Sequence, residues 1–297
     1  MSDIASLETR SILYRRVVGS TLARLQAGKL PLKIPRSRER YRRLPRSHFH
    51  PRSEIFFQLG GATDFECPGE NFRLKAPCLC LIPPGIAHAE TPVNLKTPYA
   101  ILVFGHKKDG FFVNHATSPE GARIRSSFSD HRATTRGRDA FHYLDEIAAG
   151  NDSLRGLRRI FVEGLLSAFL VTMLEELEKP VKHVSHENSP KVIETENLVR
   201  AHLSEPQLSV AILADFVRCS ADYLSRLFHE EKKMTLSRWI LQERVAMARE
   251  LLRDPKYNIA EVGWACGFNS PSYFIRVFRE HTNLTPLAFR EGEFVTG

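Results

Sequence analysis

The segment Ser220-Ala-Asp-Tyr-Leu-Ser-Arg-Leu-Phe-His-Glu230 nearly recurs 50 residues later as Ser270-Pro-Ser-Tyr-Phe-Ile-Arg-Val-Phe-Arg-Glu280. Ser220 falls on Ser270, Tyr223 on Tyr273, Arg226 on Arg276, Phe228 on Phe278, Glu230 on Glu280 and Thr235 on Thr285. Leu224/Phe274, Leu227/Val277 and Met234/Leu284 pair in apolar character. A match at a fixed period marks one supersecondary unit used twice.

Each copy reads as two short helices around a tight turn. Ile259, Val262 and Ala265 have helical spacing, Gly267 supplies a residue that tolerates positive φ, and Ser270 is a natural N-cap for the next helix. On that helix Phe274, Val277 and Phe278 share one face. The first copy runs from Val210 to Val217, turns at Arg218-Cys219 and restarts at Ser220 with Leu224, Leu227 and Phe228 inward. Helix, short turn and helix is the helix-turn-helix arrangement, whose second helix can enter the DNA major groove. Between the copies Thr235 caps a longer helix with Ile240, Arg244, Ala248 and Leu251 along one face, stopped at Asp254-Pro255. Its length, roughly 25 Å at 1.5 Å per residue, could hold two reading helices about one DNA turn apart. Thr285-Pro286 repeats the cap with proline at the first helical position.

With these residues in place, the stretch from Pro190 to Arg290 resembles the DNA-binding domain of the AraC/XylS family of bacterial transcription regulators. Lys233 and Asn283 stand where that family usually has glycine after each reading helix. The resemblance implies base-facing positions at Asp222, Ser225 and Arg226 on the first reading helix, and at Pro271, Ser272, Ile275 and Arg276 on the second. Arginine suits bidentate bonds to guanine, Ile275 a thymine methyl and Asp222 a cytosine amino group. Asp222 equally suits the positive end of its own helix. Tyr223 and Tyr273 are read as helix-edge packing or phosphate contacts, and His229, Lys232, Lys233 and Arg279 as phosphate contacts that position without specifying sequence.

Composition sets the outer bounds. A chain of 297 residues with 42% hydrophobic and 26% charged residues accommodates two ordinary globular domains. The most apolar run, Leu165 to Leu174, is too short to span a bilayer, and the N-terminus lacks the regions of a signal peptide. Five cysteines without a C-x-x-C pair suit free thiols, so a cytoplasmic protein without membrane attachment is expected. Cys78-x-Cys80 offers soft ligands, but alternate residues of a strand are more often simply buried. The +8 charge is no argument for DNA binding: from Pro190 onward 14 basic residues meet 14 acidic ones. The excess lies largely between Lys33 and Arg52, eight basic residues against one Glu; the stretch Pro31 to Arg46 is read as a solvated loop along a barrel edge, with arginines that hold an anionic ligand or touch DNA as the alternative. Local basic faces, not net charge, must supply phosphate contacts.

The first half changes pattern twice. A helix is expected over residues 1–30 around Ile12, Leu13, Val17, Leu22 and Leu25, ending near Gly28. From His48 to Phe104, strands at Glu54–Leu59, Thr63–Cys67, Asn71–Leu74, Cys78–Ile82 and Tyr99–Phe104 alternate with turn residues, as in a small barrel or jelly roll. His48-x-His50-x3-Glu54-x6-Gly61 and Pro83-x-Gly85-x2-His88 resemble the two motifs of the cupin family, with Pro92 where the second motif usually carries asparagine. Phe111 to Arg138 reads as polar and irregular; helices resume at 139–149 and 154–178, the latter with a stripe at Leu157, Phe161, Leu165, Ala168 and Thr172 that Ile160 and Leu174 widen.

The expected fold is therefore α+β: a cupin-like barrel with its N-terminal helix over 1–138, a helical hairpin for dimerisation over 139–180, a linker over 181–190 and a two-unit helix-turn-helix domain over 191–297. The family resemblance implies a regulator whose barrel holds a small molecule, often a sugar, without metal or other cofactor. Phe49, His50, Glu54 and His88 are the candidate effector contacts. It also implies a homodimer, double-stranded DNA as partner and, for an activator, RNA polymerase. Two other readings stay open. His48, His50, Glu54 and His88 have the chemistry of a divalent-metal site, so a metal-dependent enzyme or metal sensor on a DNA-binding module is one. A protein-interaction module built on the helical repeat is the other.

Overall fold

The computed structural model describes residues 2–36, 39, 47–50, 52–94, 96–107, 109–120, 124–150, 156–179, 189–255 and 257–295. Residues 181–188 of the linker expected over 181–190 and most of the arginine-rich loop lie outside them, and Pro190 already opens a helix. Contacts divide the chain into one unit of Met1–Arg46 with Arg52–His183, and another of Ser47–Pro51 with Val184–Gly297. No helix is long and apolar enough to cross a membrane among the described residues.

Among the described residues the first unit opens with α1 (Ser2–Gln26), continues through nine strands and closes with α2 (Thr135–Ala149) and α3 (Arg158–Glu178). Gly28 ends α1 at φ 65°, so that Gly28 and Lys29 N–H groups return to Leu25 and Arg24 carbonyls, both at 2.9 Å. The strands are β1 (Leu32–Lys33), β2 (Glu54–Gly60), β3 (Ala62–Cys67), β4 (Glu70–Lys75), β5 (Cys78–Ile82), β6 (Ala89–Pro92), β7 (Tyr99–Lys107), β8 (Gly110–Ser118) and β9 (Arg125–Arg132). They form a six-stranded sheet ordered β1-β5-β2-β7-β8-β9 and a three-stranded sheet ordered β4-β3-β6.

Period-two alternation sends side chains to two different cores. Ile55 and Phe57 of β2, Leu102 and Phe104 of β7, and Phe111 and Val113 of β8 pack against the helices. Phe56, Cys80, Ile82, Ile101 and Val103 turn the other way and meet Phe65, Cys67 and Leu74 of the small sheet. Both faces of the large sheet are covered, which is why β2 carries the run Ile55-Phe56-Phe57 and β5 is apolar throughout. Five phenylalanines of the helix-side core (57, 104, 111, 141 and 169) are almost wholly buried, each contributing about 2–3 kcal/mol on transfer from water. All five cysteines are free, and burial pushes the Cys67 thiol up to about 12.

Two expectations need correction. Phe111 to Arg138 is not irregular: β8 and β9 pair in an unbroken antiparallel register from Gly110↔Arg132 to Thr117↔Arg125. β9 (Arg-Ser-Ser-Phe-Ser-Asp-His-Arg) has almost no apolar residue, so main-chain pairing rather than side-chain periodicity defines it. In α3 the buried face is Leu166, Phe169, Leu170, Met173 and Leu177, while Leu157 and Ile160 are exposed. That helix is apolar on several sides, and packing against α1 and α2 selects the face.

Among the described residues from 189 onward the second unit is helical: α4 (Pro190–Ala201), α5 (Val210–Phe216), α6 (Ala221–Lys232), α7 (Leu236–Leu252), α8 (Ile259–Ala265), α9 (Pro271–Thr282) and α10 (Pro286–Val295). Val192, Val199, Leu213, Leu224, Phe228, Leu236, Trp239 and Ile240 share one core. Val262, Phe268, Phe274, Val277 and Phe278 are buried in its second half.

Glu176 of α3 ties the first unit together. Its carboxylate accepts from the Thr134 N–H at 3.2 Å, from the Thr134 hydroxyl and from Lys179 Nζ at 2.7 Å. Burial alone would raise its pKa, but these bonds outweigh it and hold the carboxyl below its ordinary value. The stabilisation is therefore present above the ordinary carboxylate range and lost as pH falls through the lowered value. Glu176→Ala should cost about 2 kcal/mol near neutral pH. In urea unfolding followed by circular dichroism, the gap to the wild type should close in acid; an equal gap at low pH would count against this role.

Candidate nucleic-acid interface

Sequence dictates the reading helices by their caps. Ser220 and Ser270 each accept from the N–H three residues on, Tyr223 and Tyr273, at 3.2 Å in both copies. Thr235 and Thr285 repeat this with Arg238 at 3.3 Å and Ala288 at 3.2 Å. After α6 and α9 the chain turns left-handed at Lys233 (φ 56°) and Asn283 (φ 61°), the conformation that glycine adopts most easily. The replacement of glycine there leaves the turn geometry the same in both copies.

The repeat is not uniform. α9 follows α6 at an offset of 50, Ala221 to Pro271, but α8 follows α5 at 49, Val210 to Ile259. The second turn holds one extra residue, Gly267-Phe268-Asn269 against Arg218-Cys219. Both turns still close alike, with Cys219 N–H on the Ala214 carbonyl and Phe268 N–H on Gly263, each at 3.0 Å.

One buried cation locks the two halves of the helical unit. Arg244 of α7 donates to the Leu203 carbonyl at 3.2 Å and the Glu205 carbonyl at 2.6 Å, ahead of the first copy. Its guanidinium also lies 5.9 Å from the Phe268 ring in the turn of the second. Gly267 sits at φ 83°, and a Cβ there would lie 2.4 Å from the Leu203 carbonyl oxygen and 2.8 Å from Arg244 Nε. Only glycine lets the two backbones approach so closely.

The structure places the predicted base-facing residues as follows. Asp222, Ser225, Arg226, Ser272, Ile275, Arg276 and Arg279 are exposed, and Pro271 is half-buried at the start of α9. Leu224 and Phe228, like Phe274 and Phe278, are buried on the opposite side, which fixes the rotation of each helix. Arg226 and Arg276 keep 70% and 68% of their side chains exposed, so neither is sealed in its bundle. Of the phosphate candidates, His229 and Lys233 are exposed, whereas Lys232 is engaged by Glu196.

The barrel residues divide between the units. Glu54 and His88 lie in the first, where the structure brings them together: His88 Nε2 is 3.6 Å from Glu54 and 3.5 Å from Glu90, and Nδ1 donates to the Ile86 carbonyl at 3.0 Å. Burial by itself disfavours the charged ring, but hydrogen bonding to Glu54 and the charges of Glu90 and Glu54 outweigh it, holding His88 above the ordinary histidine value. His48 and His50, their rings 5.1 Å apart, belong to the short segment grouped with the second unit, as does the buried Phe49. By residue chemistry alone, His48 and His50 in the one unit and Glu54 and His88 in the other are all types that can ligate a metal ion.

Sequence reasoning missed Glu90 and a second polar group. Thr63 Oγ1 donates to Gln58 at 2.7 Å and meets the Tyr99 hydroxyl at 3.1 Å. Gln58 shares the inward face of β2 with Glu54 and Phe56, so strand alternation could have found it. A cavity of about 130 Å³ lined by Arg52, His106, Arg138, Asp139, Phe141 and His142 was also unforeseen; Arg52 there is paired with Asp145 at 3.0 Å.

Comparison with known proteins now adds to the geometry. Residues 35–153 match the AraC-like ligand binding domain, and residues 213–292 match a helix-turn-helix domain. The HTH-type transcriptional regulator GbdR of Pseudomonas aeruginosa is 36% identical over 114 residues, 38% of this chain and 31% of that protein. The arabinose operon regulatory protein of Escherichia coli is 30% identical over 128 residues, 43% of each chain. The DNA-binding domain of AdpA, solved with a target DNA, is 30% identical over 35% of this chain and 93% of its own, with a TM-score of 0.33. The chain thus spans less than half the length of these curated relatives.

Both tryptophans, Trp239 and Trp264, lie in the helical unit, so their fluorescence follows its unfolding alone. Gly267→Ala should cost at least about 2 kcal/mol there, from backbone strain and the clash with Leu203. Arg244→Met should cost about 2–3 kcal/mol by orphaning two carbonyls. Unchanged denaturation midpoints would dismiss the lock.

Proposed function

We propose that this chain, which matches an AraC-like ligand binding domain over residues 35–153 and a helix-turn-helix domain over residues 213–292, is a ligand-responsive transcription regulator that reads double-stranded DNA with α6 and α9. One observation carries the reading: two helices with the same buried faces and the same caps leave arginines exposed at the equivalent positions 226 and 276. Guanidinium forks of that kind discriminate guanine in the major groove. The proposed base contacts are Asp222, Ser225, Arg226, Pro271, Ser272, Ile275 and Arg276. Arg279, Lys233 and His229 would rest on phosphates.

In the same reading the interior of the first unit holds a small polar effector, a sugar being the class to try first. Glu54 and His88 would supply directional hydrogen bonds there; His50 and Phe49, expected as contacts from the sequence, belong to the segment grouped with the other unit. The effector acts by binding unequally to two states that differ in DNA geometry. A cytoplasmic homodimer is proposed, with RNA polymerase as partner when it activates, and no catalytic step. A second reading rests on residue chemistry alone: the imidazoles of His48, His50 and His88 and the carboxylate of Glu54 are ligand types that suit a first-row divalent ion, which would then itself be the signal.

Arg276→Ala should weaken the cognate duplex by about 1–3 kcal/mol and relax preference at one position, leaving non-specific binding nearly unchanged. An unaltered footprint and affinity would refute the assignment. For the sensor, a thermal-shift screen of sugars and acids on the full chain should give a stabilising compound whose effect Glu54→Gln abolishes. Stoichiometric iron, manganese or zinc, lost in His50→Ala, would instead select the metal reading.

A further inference from the structure

Each reading arginine is flanked along its helix by the same two partners. The Arg226 guanidinium lies 5.9 Å from the Tyr223 ring centroid, and that of Arg276 lies 5.2 Å from Tyr273. One turn further on, Arg226 Nε is 3.9 Å from Glu230 and Arg276 Nε is 4.0 Å from Glu280, both glutamates being exposed. Spacings of three and four residues put ring, guanidinium and carboxylate on one helix face. We infer that Tyr223 with Glu230, and Tyr273 with Glu280, are positioning residues that hold the reading arginines extended from the helix before DNA arrives. This rests on the DNA-reading proposal above and adds to it the groups that act through the arginine.

The chemistry fits the task. A long arginine side chain loses rotamer freedom when it docks on one base, and pre-ordering removes that cost from the specific complex only. The ring attracts the cation without using its N–H groups, so the fork remains free for guanine. The carboxylate pairs with Nε and also repels phosphates, which opposes non-specific binding more than specific binding.

The two copies differ in one respect. Tyr273 is itself braced edge-on by the buried Phe268 at 5.9 Å, whereas Cys219 occupies the equivalent place before Tyr223. The second arginine is therefore the better ordered, and its base the more strictly read.

The test uses the full chain, the duplex enriched from a random library, and the same duplex with the base pair read by Arg276 replaced. Its readout is the ratio of the two affinities. Tyr273→Leu should lower the ratio about 2–5-fold, the scale of an exposed cation–π contact. Tyr273→Phe should preserve it, and Tyr223→Leu should do less at its own base pair. Should Tyr273→Leu not fold, the exposed Glu280→Gln decides: it should raise affinity for both duplexes while lowering their ratio. A ratio unmoved by Tyr273→Leu or by Glu280→Gln overturns the inference, as does a uniform loss in Tyr273→Phe, which would assign the hydroxyl to a phosphate. Arg276→Ala separates the levels: if it too leaves the ratio unchanged, DNA reading by this arginine fails as well; if it collapses the ratio, only the positioning role is at stake.

Discussion

The close approach of Gly267 to the Leu203 carbonyl, with Arg244 bonded across it, is the constraint on which the helical unit depends. A buried guanidinium is tolerated only when its donors are used, and here main-chain carbonyls and an aromatic face take them. The result is a rigid relation between two helix-turn-helix copies that share α7. Each copy alone is too small to bury a core of useful size, and the lock turns two marginal pieces into one body.

Rigidity of this kind explains how exposed, polar helix faces can be specific. The caps at Ser220 and Ser270 fix where each reading helix begins, and the buried Leu224, Phe228, Phe274 and Phe278 fix its rotation. The sensor unit solves a different problem. Its large sheet is covered on both sides, by helices and by the small sheet, and polar groups in the interior are satisfied by one another, as in Gln58, Thr63 and Tyr99. Under the proposed function, an effector entering such an interior would have to replace those bonds with its own, and recognition would be selective for that reason.

Much of the helical unit was legible because its information is local. Caps, apolar spacing and a near-repeat of 50 residues located α5 to α10 without any long-range contact. The residue inserted at Asn269 was not, because a loop change leaves the periodic positions on either side intact. Arg244 could be assigned to the inward face of α7 by spacing, but nothing local announces that its partners are carbonyls some 40 residues earlier. In the first unit β2 to β5 and β7 stood out as apolar runs, whereas β9 is polar but for Phe128 and exists through its pairing with β8. The face of α3 was chosen by its neighbours, since Leu157 and Ile160 satisfy the same periodicity yet lie exposed. Glu54 and His88 were visible through their motif spacing; Glu90 was not, because its strand carries no apolar signature.

The proposed joint reading of a single duplex by α6 and α9 is open to direct measurement. The full chain can be titrated against its selected duplex and against versions carrying an insertion between the two footprint blocks. An insertion of about five base pairs, half a helical turn, should rotate one block away and reduce affinity to that of a single block. Undiminished binding to the duplex with the half-turn insertion would contradict the joint reading by α6 and α9.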